Sequence, residues 1–132
     1  MKMKTNKPAV YDTRFFTQLY RSSNSEEKKK IRTEMTRKDK CVSPIVIHEL
    51  YHSSIAIEGR EIAKIKIAYI KQDFQIVPVD APIAEISAEI RHNYHIPMGD
   101  SIIAATALRL KSVCITDDQH IRQIREIETA WI

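Results

Sequence analysis

Apolar positions in this sequence follow two rhythms that alternate along the chain. Short apolar runs at residues 9–12 (AVYD), 41–43 (CVS), 74–79 (FQIVPV) and 112–116 (SVCIT) have the pattern of strands buried on both faces, with Pro78 near a strand end where a missing donor is tolerated. Between them apolar residues recur at three- and four-residue steps. This spacing predicts helices over residues 13–20, 25–38, 45–57, 60–72, 81–92 and 97–110, with a short helix from Gln119. Start signals stand where these helices need them: Ser25 before Glu26 and Glu27, Ser43 before Pro44, and Asp80 with Pro82 in the first turn. Gly59 divides two helices; in the second, Ile62, Ile65 and Tyr69 form the expected apolar stripe while Arg60, Lys64 and Lys71 share another face. The tail, residues 126–132 with Trp131 and Ile132, reads as an edge strand or a tucked end. Strands that are each followed by helices predict right-handed crossovers and the α/β class. The expected architecture is three-layer α/β/α around a central, mostly parallel sheet of four to five strands.

The chain is organised around residues 97–110, PMGDSIIAATALRL. Beyond Gly99 this helix is small or aliphatic almost throughout, so it can be buried on nearly all sides while Asp100 sits in its first turn. Asp100 alone reads equally well as an N-cap.

Composition narrows the class. At 132 residues, with 43% hydrophobic and 29% charged positions, the chain is expected to form one domain spanning residues 1–132, and not a disordered segment. No run approaches the length of a membrane span, and residues 1–8 are basic without an apolar core, so neither a membrane anchor nor a signal peptide is expected. Cys41 and Cys114 lie in strand-like runs with no patterned partner, which predicts reduced thiols and a cytoplasmic setting. The net charge of +4 is modest, but basic residues crowd residues 28–40. Such a run is either a solvated helix face or a surface for phosphate.

In a sheet of this kind the carboxyl ends of the strands share one rim, where ligands bind at the reversal of strand order. Asp12 follows the first strand, Glu49 lies in the second turn of the helix after the second, Asp100 opens the organising helix and Asp118 follows the fourth strand. All four reach the same rim. Like charges gathered there are strongly unfavourable without a cation, and oxygen donors alone favour Mg²⁺ or Mn²⁺ over zinc. A divalent ion held this way suits in-line attack on a phosphodiester. Asp12, Asp100 and Asp118 each also read as helix caps; it is the set of four that argues for metal.

These residues carry a family resemblance over essentially the whole length. The sequence resembles the PIN domain, the VapC-type ribonuclease toxins and their archaeal relatives, through Asp12-Thr13-Arg14-Phe15, Ser43 with Glu49-Leu50, Gly99-Asp100-Ser101-Ile102-Ile103-Ala104-Ala105, and Thr116-Asp117-Asp118. The resemblance implies that Asp12, Glu49, Asp100 and an aspartate of the last block hold Mg²⁺, with Mn²⁺ as a substitute. Within that block Asp118 fits the family's pattern of Thr, any residue, then an acidic or amide residue, while Asp117 stands as a further candidate ligand. Ser43, Thr116 and Thr13 are the expected supporting residues. The implied activity is endoribonuclease cleavage by the toxin of a toxin–antitoxin pair, with a water held by Asp100 and Asp118 as nucleophile and Asp12 and Glu49 fixing the metal. A homodimer and a small antitoxin that covers the site are implied as well. Single-stranded or looped RNA is the expected substrate, with Lys28, Lys29, Arg60 and Lys64 as candidates for steering its backbone. Phe16, Leu19 and Tyr20 are either the antitoxin contact or part of the core.

A second motif competes for Glu49. His48-Glu49-Leu50-Tyr51-His52 spells HExxH on a predicted helix, so two histidines share a face as in zinc metalloproteases. The longer HxxGxxH extension is missing, with Ile55 where glycine would stand, and a protease leaves Asp12, Asp100 and Asp118 unexplained. A phosphoacceptor module would need its acidic pair after the first strand and a Lys after the last, whereas here Asp117 and Asp118 follow the fourth. A non-catalytic RNA-binding module of PIN type is the remaining alternative.

Overall fold

The structure, a computed structural model, describes residues 7–132. The expectation for residues 1–8 therefore falls mostly outside the described residues. In chain order the elements are β1 (Ala9–Tyr11), α1 (Thr13–Arg21), α2 (Ser25–Met35), β2 (Lys40–Val42), α3 (Pro44–Glu58), α4 (Arg60–Asp73), β3 (Gln75–Ile76), α5 (Ala81–Tyr94), α6 (Met98–Arg109), β4 (Val113–Ile115), α7 (Gln119–Arg122) and β5 (Glu128–Ala130). The five strands form one sheet in the order β3-β2-β1-β4-β5, and every pair is parallel. Helices cover the sheet in the three-layer α/β/α arrangement that the alternating pattern predicts. The chain steps outward from β1 to β2 and β3, then returns to the other side for β4 and β5. Order thus reverses at β1, and the crevice beyond the carboxyl ends of β1 and β4 is the topological switch point.

The strands are shorter than the apolar runs suggested. β3 has two residues because Phe74 remains the C-cap of α4 and Pro78 has no N–H to extend the ladder. The tail is both of the things expected of it. Residues Glu128–Ala130 pair with β4, and Trp131 and Ile132 pack against the core. Asn24, rather than Ser25, caps α2, accepting the Glu27 N–H at 3.0 Å.

Packing bears on two further readings. Phe16 is fully buried with Tyr11, Phe15 and Phe74 in an aromatic cluster whose ring centroids lie 4.7–5.4 Å apart, so it is core and not a partner contact; Leu19 and Tyr20 are half-buried beside it. On α4 the buried face is Ala63, Ile67 and Ile70, while Ile62, Ile65 and Tyr69 are 46%, 56% and 60% exposed. That helix is apolar on both sides, so periodicity alone does not choose which one meets the protein. Cys41 and Cys114 are free and buried. Both are in register with Val10 from opposite sides of β1, which sets them two strand spacings, about 9–10 Å, apart and beyond disulfide reach. Among the described residues no helix is long and apolar enough to cross a membrane.

Candidate metal centre

β1 delivers Asp12 to the rim, where it becomes the N-cap of α1. One carboxylate oxygen accepts the Thr13 N–H at 2.7 Å and the other accepts the Thr116 hydroxyl at 2.6 Å. The residue is 3% exposed, and burial pushes its carboxyl up to about 6 despite those two hydrogen bonds, with Asp100 and Asp118 adding repulsion. Thr116, fully buried at the end of β4, also accepts the Asp118 N–H at 2.9 Å. A single hydroxyl therefore ties the carboxyl ends of β1 and β4 together. Asp118 in turn caps α7, accepting the His120 N–H at 2.7 Å.

Asp100 is not a cap. Pro97 holds the N-cap position of α6 and no side chain caps that helix, so the Asp100 carboxylate in the first turn is left for another use. Burial raises its pKa first, then the nearby Asp118 charge, while contact with His120 pulls the other way. Glu49 accepts the Thr13 hydroxyl, so Thr13 serves Asp12 through its N–H and Glu49 through its side chain. Gly99 makes room for this: a Cβ there would meet Glu49 Oε2 at 2.9 Å.

Not every predicted residue joins the group. Asp117 is ion-paired with Arg14, whose Nη2 lies 3.3 Å from Asp117 Oδ2, and it is not among the clustered donors. Ser43 is fully buried as the N-cap of α3, with its hydroxyl on the Ile45 N–H at 3.3 Å; its link to the rim runs through the helix that carries Glu49. Lys28 and Lys29 are exposed on α2, and Arg60 and Lys64 on α4. His48 and His52 are exposed one turn apart on α3 with parallel rings 6.2 Å apart, while Glu49 engages Thr13 on a different side. Among the described residues, the one group of three or more His, Cys, Asp and Glu donors close enough to share an ion is Asp100, Asp118 and His120, all within 4.8 Å of one another. The His48–His52 pair thus lacks the third ligand that a zinc site requires.

The sequence patterns did not single out His120. Its Nδ1 stands 3.1 Å from Asp100 Oδ2 and 3.5 Å from Asp118 Oδ1. The only signal was the Asp118-x-His120 spacing across the first turn of α7. Among the described residues no Lys or Arg is ion-paired with Asp12, Glu49, Asp100 or Asp118. Oxygen-rich donors, with burial penalising the charge of Asp12 and Asp100 and the nearest guanidinium, Arg14, engaged by Asp117, match the needs of a hard divalent ion.

Known structures share this architecture. VapBC2 from Rickettsia felis, bound to a DNA fragment from their promoter, superposes at a TM-score of 0.79 with 15% identity, covering 94% of this chain and 98% of that one. A toxin–antitoxin complex from Klebsiella pneumoniae gives 0.72 with 23% identity over 94% and 99%. VapC20 of Mycobacterium tuberculosis, a Sarcin-Ricin loop cleaving toxin, gives 0.69 with 16% identity over 87% and 93%. At these identities the likeness is one of fold, and no curated protein sequence matches. The sequence model of the PIN domain matches residues 9–127, and with the strand order and the acidic rim in view the chain belongs to the PIN domain family.

Proposed function

We propose that this protein is a divalent-metal-dependent endoribonuclease acting as the toxin of a toxin–antitoxin pair. The observation that carries the reading is the closeness of Asp100 and Asp118 at the strand-order switch of a PIN domain, with Asp12 and Glu49 near enough to repel their charge and no Lys or Arg ion-paired to any of the four among the described residues. These four carboxylates would hold Mg²⁺, for which Mn²⁺ would substitute. When bound, the ion supplies neutralisation of charge at the scissile phosphate and a nucleophilic water near neutral pH. Asp100 and Asp118 orient that water for in-line attack. Asp12 is locked by Thr13 and Thr116, so its carboxylate is pre-positioned, and Thr13 fixes Glu49 by the same principle. Asp118 serves as the fourth ligand because Arg14 already engages Asp117. Ser43 contributes by capping the helix that carries Glu49.

The exposed Lys28, Lys29, Arg60 and Lys64 attract the phosphate backbone, and unstacked RNA is the substrate class that can enter a rim site. The neighbours in fold named as toxin–antitoxin complexes and as a loop-cleaving toxin support a toxin role with an antitoxin partner; a homodimer, a small antitoxin and a cytoplasmic setting belong to the same proposal. The test is cleavage of a mixed RNA by wild type, Asp100→Asn and His48→Ala/His52→Ala, each with Mg²⁺, Mn²⁺, Zn²⁺ or EDTA. Wild type and the double histidine variant should cut with Mg²⁺ or Mn²⁺, and Asp100→Asn should lose at least about a hundredfold in rate. Cleavage that survives EDTA or Asp100→Asn would sink the proposal, and tight zinc binding lost in the double variant would put the protease motif in its place.

A further inference from the structure

Resting on the carboxylate centre just proposed, we infer that His120 is itself a ligand of that centre, through Nδ1, and that it biases the centre toward Mn²⁺ over Mg²⁺. Ligands in neighbouring positions around a six-coordinate ion of this size are separated by about 3.0 Å, since each stands about 2.1 Å from the metal. His120 Nδ1 is 3.1 Å from Asp100 Oδ2 and 3.5 Å from Asp118 Oδ1, so the imidazole already occupies such an edge with both carboxylates. All three donors lie within 4.8 Å of one another. The position of the ring is built into the chain: Asp118 accepts the His120 N–H, and the next residue, Ile121, is fully buried and anchors the turn.

The chemistry of the donor changes what the site selects. Mg²⁺ prefers carboxylate and water oxygen and gains little from imidazole, whereas Mn²⁺ and later first-row ions bind nitrogen increasingly well. One nitrogen among four carboxylates therefore leaves Mg²⁺ affinity nearly unchanged and raises that for Mn²⁺.

The experiment is Mn²⁺ and Mg²⁺ titration of the untagged chain, with pulsed electron paramagnetic resonance of the Mn²⁺ form. Wild type, His120→Gln, Asp100→Asn and His48→Ala/His52→Ala are compared. The expected result is a ¹⁴N coupling to Mn²⁺ that persists in the double histidine variant and vanishes in His120→Gln. That variant should also lose about tenfold in Mn²⁺ affinity while its Mg²⁺ affinity stays within about threefold. Mn²⁺ bound in wild type without ¹⁴N coupling, or an equal loss for both ions in His120→Gln, overturns the role of His120 while leaving the carboxylate centre standing. Mn²⁺ that fails to bind wild type, or binds Asp100→Asn unchanged, overturns both.

Discussion

Asp12 accepts two hydrogen bonds, each of which favours the charged form, yet its carboxyl sits at about 6 because burial outweighs them. The ordinary value is 3.8, so the folded protein holds this proton more tightly than the unfolded chain. A group raised in this sense favours folding below its unfolded pKa, and that advantage is lost as pH rises through about 6, at a cost of about 3 kcal/mol for the metal-free protein. Urea denaturation should therefore show the metal-free protein less stable at pH 8 than at pH 5. Asp12→Asn should flatten that dependence, and Mg²⁺ or Mn²⁺ should stabilise wild type more at pH 8 than at pH 5. An unchanged pH profile in Asp12→Asn would place the effect elsewhere. At this scale the sequence was informative where the residue type carried the chemistry: carboxylates after strands could be read directly. His120 could not, because a single histidine has no period or partner in the sequence, and the choice between Asp117 and Asp118 had no physical basis until Arg14 was seen paired with Asp117.

The elements that could be read were those with a consistent face. α6 is the clearest, its run of small residues predicting the burial of Ala104, Ala105 and Ala107 that the structure shows. Ser101 adds a polar tie, lying 2.9 Å from Ser87 on α5 in an otherwise apolar contact. On α4 the stripe of Ile62, Ile65 and Tyr69 is not the buried face, because apolar residues surround that helix, and the strands are shorter than the apolar runs because those runs continue past the last ladder bond into caps and turns. The packing of α6 on α3 also makes a sharp test. Gly99 sits inside a helix with only the end of the Glu49 side chain in the way of a methyl group. Gly99→Ala should leave stability unchanged or raise it by up to about 1 kcal/mol, since alanine is the better helix former. Cleavage should nonetheless fall by about tenfold or more as Glu49 is pushed aside. Parallel denaturation curves and cleavage rates would show the two effects moving in opposite directions; a variant less stable and equally active would contradict the role given to this close approach.

For the molecule as a whole, alternation of strand and helix was enough to infer a parallel α/β sheet, but not which strands are neighbours. The order β3-β2-β1-β4-β5 depends on pairings such as Val10 with both Cys41 and Cys114, set by contacts far apart in sequence. Charge acts at the same scale. The surplus of +4 sits beside an acidic rim, so if the substrate is the RNA proposed above, its attraction would come from exposed side chains away from the carboxylates. Lys28→Gln/Lys29→Gln should weaken RNA binding and reduce the slope of log affinity against log salt by roughly 1.4, the value for two lost contacts to a single strand. An unaltered slope would remove α2 from the binding surface.

The hydrogen bond from Thr116 to Asp12 also sets a time. Asp12 emerges early in synthesis, and the residues that complete the rim, Thr116 and Asp118, are made more than a hundred positions later. At about 5–20 residues per second, the ribosome spends on the order of ten seconds with the first carboxylate outside and its counterparts not yet translated. Throughout that interval β4 is missing from its place beside β1, and the cleft cannot close. A site whose two halves lie this far apart in the sequence stays unformed until β4 and the residues beyond it have been made.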